Sequence, residues 1–214
     1  MAKKKPTSPK VTFDSSYNDK PILTDKEKGY GCRGDILKKI DKRLDHATQK
    51  HSKVLCTRMD FRFPTKYDVP SDNELMSSCL AKFTRNLKRN GNDPHYVCVR
   101  EQSREKHQHY HLALITNQKK HQFPHKHIEK AEELWSSTLG VESGKGLVDH
   151  CTTSRSGEQQ QNCYRLNRND PDFEQVKAEC FQRCSYLAKE NTKGNAPKHK
   201  REVMCSRLKQ SDKK

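Results

Sequence analysis

The stretch EKHQHYHLALITN, residues 105–117, places histidines at every second position and then runs into Leu, Ala, Leu, Ile and Thr. In a strand alternate side chains share a face, so His107, His109 and His111 point the same way. The preceding segment HYVCVRE ends in Glu101, and the polar turn QSREKHQ joins it to HYHLALIT. If Gln102 faces Gln108 across this hairpin, Glu101 lies opposite His109 and shares a face with His109 and His111. A slip of one residue would put Glu101 beside Tyr110 and scatter the group. Two imidazoles and a carboxylate with coordination positions left over suit a divalent ion that acts on a phosphate. Mg²⁺ or Mn²⁺ fits nucleic-acid chemistry, the nitrogen ligands favour Mn²⁺, and Zn²⁺ is also compatible. His107 reads as a turn residue. Asp60 reads either as a further ligand or as a partner of Arg58 or Arg62. The plain alternative is that 11 histidines in one basic chain produce an H-x-H without any metal.

A second group lies in the last helical segment. Phe173, Val176, Cys180, Cys184 and Leu187 mark its apolar stripe. At 100° per residue Tyr186 points away from that stripe, and Lys189 lies about 60° from Tyr186. A phenol displaced from the apolar face, with an ammonium one turn on, is unusual for simple packing. The plain alternative is a Tyr packed on another element and a solvated Lys.

The elements that must position these groups follow from periodicity. DILKKIDKRLDHATQKH has apolar residues at 36, 37, 40, 44 and 47, a helical spacing with a basic opposite face. KVLCTRMDFRFP alternates and ends at Pro64, which predicts a strand. Ser71 and Glu74 form a capping box for the helix whose stripe is Leu75, Cys79, Leu80, Phe83 and Leu87, and Gly91 sits at its stop. After the histidine hairpin, HKHIEKAEELWSSTLG predicts a helix with Ile128, Ala131, Leu134, Trp135 and Leu139 inward and Gly140 as its end. GLVDHCTT and NCYRLNRND are candidate strands, and the last helix spans about Asp170 to Lys189. No internal repeat is present. The expected fold is α+β: the central strand–helix–strand–strand–helix–strand order is that of the ferredoxin-like, split βαβ fold, an antiparallel sheet with helices on one face. The other face stays open for a ligand unless the terminal helices cover it. Residues 1–28 read as a disordered basic segment, 29–190 as the domain and 191–214 as a basic tail.

Composition limits the partners. The chain of 214 residues is 30% hydrophobic and 33% charged, with 43 Lys and Arg against 27 Asp and Glu, a net charge of +16. That excess repels itself in the compact state and favours a polyanionic partner, nucleic acid or an acidic membrane surface. No apolar run reaches the length of a membrane span, and MAKKKPTSPK carries no apolar signal stretch, so a cytoplasmic protein with no membrane partner is expected. Nine cysteines without a C-x-x-C pair read as mostly buried apolar residues rather than a disulfide framework. The closest, Cys180 and Cys184, are one helical turn apart.

Taken together, an alternating strand, E-x7-H-x-H across a hairpin and Y-x-x-K on a late helix resemble the HUH endonucleases, the rolling-circle replication initiators with two histidines flanking a bulky residue. REQ, HYHLALITN, ELW and SYLAKENTK look more narrowly like the replication-initiator family of filamentous phages and related prophages, the inovirus-type gene-2-product proteins. The likeness covers roughly residues 50–193. It implies a ferredoxin-like HUH core, a divalent Mn²⁺ or Mg²⁺ held by Glu101, His109 and His111, a nucleophile at Tyr186 and an assisting Lys189. It also implies nicking and joining of single-stranded or locally melted DNA at a replication origin in a bacterial host, through a 5′-phosphotyrosine. A host helicase and polymerase would do the rest, since no P-loop is present for a fused helicase. The family's single-tyrosine form is the one matched. Arg58, Arg62, Arg85, Lys88, Arg89 and Arg100 are candidate phosphate contacts, and the basic tails would add nonspecific affinity. Competing expectations are a non-catalytic single-stranded nucleic-acid binder on the same sheet, a metal-dependent hydrolase without a covalent intermediate, and a transposase or relaxase of the same chemistry.

Overall fold

A computed structural model describes residues 10–102, 107–119, 122–154, 156–191 and 193–208. Three two-residue strands, β1 (Val11–Thr12), β2 (Ser16–Tyr17) and β3 (Lys20–Pro21), precede β4 (Cys32–Arg33) and helix α1 (Gly34–Lys50). Strand β5 (Lys53–Phe61), helix α2 (Glu74–Arg89), strands β6 (His95–Glu101) and β7 (His109–Asn117) and helix α3 (His125–Leu139) follow. Strands β8 (Val148–Asp149) and β9 (Cys163–Asn167), helix α4 (Phe173–Ser185), a 3₁₀ turn at Tyr186–Ala188 and strand β10 (Val203–Cys205) complete the order. The fold is α+β. A six-stranded antiparallel sheet runs β10-β6-β7-β5-β8, with β9 also pairing with β5.

Both faces of the central strands are apolar, and this decides where the helices go. Met59 and Phe61 of β5, Cys98 of β6 and Tyr110, Leu112 and Leu114 of β7 are buried with Met76, Cys79, Leu80, Phe83 and Leu87 of α2 and with Ala131, Trp135 and Leu139 of α3. Val54 and Cys56, Val97 and Val99, and Ala113 and Ile115 alternate with them. They are buried with Ile36, Leu37, Ile40, Leu44 and Ala47 of α1 and with Cys180, Phe181 and Cys184 of α4. The expectation of helices on one face is therefore corrected: α2 and α3 cover one face, α1 and α4 the other. The histidine face is not an open sheet but a covered one, and access to it is at the end of the strands.

The two flanks also differ from the sequence reading. Residues 10–28, expected as part of a disordered segment, carry β1, β2 and β3. Ile22 is in the core beside α4, Leu23 N–H donates to Ser185 Oγ at 2.8 Å, and Tyr17 stacks on Phe181. Lys20 reaches the Asp41 carboxylate on α1 at 2.8 Å. The strands are too short to register as periodicity; β1 pairs with β4 and β2 with β3, and the segment packs on α1 and α4. Residues 193–208, expected as a tail, include β10, which pairs with Val97–Val99 of β6 and covers what would be an exposed sheet edge. Glu202 anchors it through Arg33 at 2.6 Å. Residues 1–9 and 209–214 of the expected flanks, and 103–106 of the hairpin turn, lie outside the described residues.

The capping box expected at Ser71 and Glu74 is not used. Helix α2 begins at Glu74, whose N–H donates to Asp72 Oδ1 at 2.9 Å. The Arg100 guanidinium and the Gln108 amide bind the carbonyls of Pro70, Ser71 and Asp72 and hold that segment short of the helix. Gly91 and Gly140 adopt positive φ after α2 and α3, the left-handed stop that glycine allows at low cost. The last helix leaves α geometry at Tyr186, where the 3₁₀ turn takes over.

If β10 is an integral strand, a chain ending at Lys198 loses both the β6 pairing and the Arg33–Glu202 ion pair. Its melting temperature is expected to fall by ~5 °C or more, at about 2–4 °C per kcal/mol lost. An unchanged calorimetric melt would show that residues 199–208 contribute nothing to the domain.

Candidate metal and phenol site

The hairpin register places Glu101 opposite His109, the one of the two registers in which the group converges, and β5 lies on the other side of β7 with Asp60 opposite His111. Glu101, His109, His111 and Asp60 thus share one face at one end of three adjacent strands. His111 is 3% exposed and Glu101 4%, whereas His109 is partly open. His107 is exposed and takes no part. Tyr110, between the two histidines, points into the opposite core, where its hydroxyl meets Asn73 Oδ1 at 3.0 Å.

The ring of His111 is clamped. Its Nδ1 lies 2.6 Å from Asp60 Oδ1, and a carboxylate only accepts, so Nδ1 carries the proton. Its Nε2 therefore faces Glu101 Oε2 at 3.2 Å, off the hydrogen-bond line, and is a buried polar atom without a hydrogen-bond partner. His109 Nε2 is 3.8 Å from the same oxygen. One ligand atom from each of Glu101, His109 and His111 lies within 4.8 Å of the others. A buried imidazole nitrogen left unbonded and fixed by a carboxylate behind it is how a metal-binding histidine is held. The donor set, two nitrogens and one carboxylate oxygen, fits a divalent ion such as Mn²⁺ or Mg²⁺.

Burial and charge act against each other here. Burial would raise the Glu101 carboxyl, but His111 and the Lys193 ammonium outweigh it and hold it well below the usual carboxylate range. Asp60 is brought to about 2 against its own burial by His111 and Arg58. Burial lowers His111, yet the two carboxylates outweigh it and raise the ring above its ordinary value. His109, buried and facing the charge of His111, is lowered to about 4.

The phenol comes from the other end of the chain. The 3₁₀ turn after α4 brings Tyr186 edge-on to His111, with ring centroids 5.4 Å apart at 88°. Arg58, two residues before Asp60 on β5, lays its guanidinium 4.2 Å from the Tyr186 ring centroid while bonding Asp60. Lys189 Nζ is 4.5 Å from that ring. Burial lowers the Lys189 pKa despite nearby Glu101. The α-helical offset expected from the sequence does not apply, because α4 ends at Ser185; the 3₁₀ turn and the non-helical Lys189 that follow bring the phenol and the ammonium to the histidines.

Lys193 was missed. Its side chain is fully buried, with Nζ 2.6 Å from Glu101 Oε1 and 2.5 Å from the Lys189 carbonyl. The sequence signal was its position four residues past Lys189, obscured because NTKGN reads as the start of a tail. Glu101 thus gives one oxygen to Lys193 and turns the other toward the histidines.

The six basic candidates separate. Arg58 belongs to the site, and Arg62 is exposed beside it, paired with Asp149 at 3.1 Å. Arg85, Lys88 and Arg89 are exposed on α2, across the sheet from the histidines. Arg100 is corrected: it is 2% exposed, and its guanidinium binds the Ser71 carbonyl, Asn73 Oδ1 and Gln102 Oε1 rather than facing solvent.

A second cluster was not legible from spacing. Cys56 of β5 joins Cys180 and Cys184 of α4, with the three sulfurs within 4.8 Å of one another and fully buried beneath the Tyr186 turn. Their separation also suits a thiophilic ion. All nine cysteines are free thiols, seven of them buried, as expected for small apolar core residues.

Among the described residues no helix is long and apolar enough to cross a membrane. The family model for the YagK/YfjJ C-terminal domain matches residues 12–202. The chain therefore belongs to the YagK/YfjJ C-terminal domain family. No curated protein and no solved structure matches it.

Replacing Arg100 by Met removes the donor to the Ser71 carbonyl and to the Asn73 and Gln102 side-chain oxygens and is expected to destabilise the protein by roughly 1–3 kcal/mol in urea melts. Affinity for single-stranded DNA should stay at the wild-type level below the melting range. A variant of full stability with weakened DNA binding would restore Arg100 as a phosphate contact.

Proposed function

We propose that this chain is a metal-dependent endonuclease of the HUH kind. It nicks and rejoins single-stranded or locally melted DNA through a 5′-phosphotyrosine on Tyr186 and starts rolling-circle replication of a phage, prophage or plasmid-like element in a bacterial cytoplasm. The observation that carries this reading is the convergence of Tyr186 with His109, His111 and Glu101, although sequence separates them by about eighty residues. The topology supports it. Strands β8, β5, β7 and β6 lie in the order that a split βαβ unit produces, with β5 and β6 parallel to each other around β7 and with α2 and α3 on one face. The ferredoxin-like core is then β5–α2–β6–β7–α3–β8, to which α1, α4 and β10 are additions.

A divalent ion held by Glu101, His109 and His111 would withdraw charge from a non-bridging phosphate oxygen and stabilise the crowded transition state. The residues of the chain do the rest. Asp60 fixes the His111 tautomer so that Nε2 faces the site. Lys193 holds one oxygen of Glu101 and so orients the other. Tyr186 is flanked by Arg58 and Lys189, and positive charge beside the ring stabilises the phenolate oxygen that must attack, since an ordinary phenol ionises only near pH 10. The new bond joins the tyrosine oxygen to phosphorus. The bond from phosphorus to the 3′ oxygen breaks with its electron pair, and that oxygen takes up a proton to become a 3′-hydroxyl able to prime synthesis. Because the phosphodiester is exchanged for another ester, reversal by a 3′-hydroxyl rejoins a strand. Lys189 serves the phenolate or the phosphate from the same position.

Incubating labelled single-stranded DNA with Mn²⁺ and the protein is expected to give a covalent band on a denaturing gel, lost in Tyr186→Phe while binding persists. Excess chelator should abolish the band and added Mn²⁺ restore it. An undiminished adduct from Tyr186→Phe would reject this nucleophile, and free 5′-phosphate ends without an adduct would favour simple hydrolysis. Lys193→Met is expected to weaken Mn²⁺ binding, measured by electron paramagnetic resonance, by about 10–100-fold, the usual effect of losing a partner of a metal ligand. Tighter Mn²⁺ binding in this variant would mean that Lys193 competes with the ion rather than orienting Glu101.

A further inference from the structure

The large apolar side chains exposed among the described residues are Phe13 at 46%, Tyr30 at 36% and Phe123 at 59%. Phe123 stands against Arg165 of β9, beyond the strand ends opposite the histidines. The other two lie next to the Tyr186 turn. Tyr30 closes a turn by exchanging backbone hydrogen bonds with Asp25 at 2.9 and 2.7 Å. The next residue, Gly31, accepts the Glu190 N–H at 3.0 Å, and Cys32 bridges to Lys189. Tyr30 is thus held in place by backbone on both sides, immediately beside the segment that carries the nucleophile. Lys189 Nζ lies 5.4 Å from the Tyr30 ring and 4.5 Å from the Tyr186 ring, so one ammonium stands between the two. Phe13 packs over Gly31 so closely that a methyl group there would meet its ring at 3.0 Å and Val11 at 2.6 Å. Both exposed rings thus lie on the segment that joins the 3₁₀ turn by backbone bonds, Tyr30 beside Lys189 and Phe13 against Gly31.

An exposed aromatic pair costs solubility and contributes little to stability, so its place beside the site points to a ligand. Two features specify which. A cation among the rings selects an anionic chain, in line with the net charge of +16. Flat rings fixed by backbone bonds, rather than a deep apolar cleft, suit other flat rings. We propose that Tyr30 and Phe13 form a stacking platform for the bases of single-stranded DNA next to the scissile phosphate, with Lys189 reaching the backbone between them. This rests on the nicking reading above and deepens it. Stacking accepts any base, so the platform would orient the strand at the phenol without choosing its sequence. It also gives the segment before α1 a function: it delivers the platform.

The test measures binding without cleavage. Full-length protein carrying Tyr186→Phe, in metal-free buffer, is titrated into a fluorescein-labelled single strand of mixed sequence and, separately, into the same strand made abasic at the central nucleotides. Tyr30→Ala and Phe13→Ala are each expected to weaken binding of the intact strand by roughly 5- to 150-fold, the range for loss of one stacked base. Tyr30→Phe should bind like the parent. Tyr30→Leu, which keeps apolar bulk without a π face, should bind like Tyr30→Ala. On the abasic strand all variants should converge on the parent's weakened affinity. Unchanged affinity of Tyr30→Ala, or equal losses on intact and abasic strands, would overturn the platform. A parent protein that binds neither strand would instead overturn the DNA reading as a whole.

Discussion

Glu101 is a carboxylate carried into an interior where water scarcely reaches it, and a buried negative charge has to be answered by polar and charged partners. The answer spans the fold. His111 comes from the next strand, Lys193 from the segment beyond the last helix, and Asp60, on the third strand, turns His111 toward the carboxylate. Removing any one of them leaves another charge uncompensated. That single requirement ties β5, β6, β7 and Lys193 into one unit, and the phenol is attached to that unit through Lys189, whose carbonyl Lys193 also binds. The site and the local stability of the sheet end are therefore not separable quantities.

The covered histidine face follows from the same economy of packing. Farther along the strands the alternation on this face becomes Val54 and Cys56, Val97 and Val99, and Ala113 and Ile115, all of which need helices over them. At one end of the sheet the residues on this face at the ends of β5 and β6 and the start of β7 are polar, and there the covering layer gives way to a charged pocket. Arg58 marks the transition. It stays buried at 4% exposure because Asp60 and the Tyr186 ring satisfy its charge and its flat face.

Much of this was legible. The period-two alternation put His109 and His111 on one face, and Glu101 joined them on the register in which Gln102 faces Gln108. Helical phase set Tyr186 apart from the stripe of Cys180 and Cys184, although the helix ends at Ser185 and a 3₁₀ turn carries the phenol. What was not legible depended on long-range partners. Strands of two residues leave no periodic trace, so the folded segment before α1 looked like a solvated leader. Charge alone did not separate Arg100, which binds backbone carbonyls, from Arg62, which faces solvent. Lys193 sits in a Gly- and Asn-containing stretch typical of linkers, and only its buried partner across ninety-two residues reveals it. Composition describes average surroundings, whereas these residues are set by one particular neighbour.

The chain supplies its site in a fixed temporal order during synthesis. The two histidines and their carboxylates emerge first and can pair as a hairpin against β5, but Tyr186, Lys193 and the covering strand β10 all arrive within the last stretch of described sequence. Until then the β6 edge is bare and Glu101 lacks its ammonium. A ribosome-bound chain that has not yet released β10 therefore holds an incomplete and exposed centre, and the finished pocket can exist only once residues 186–205 have left the exit tunnel.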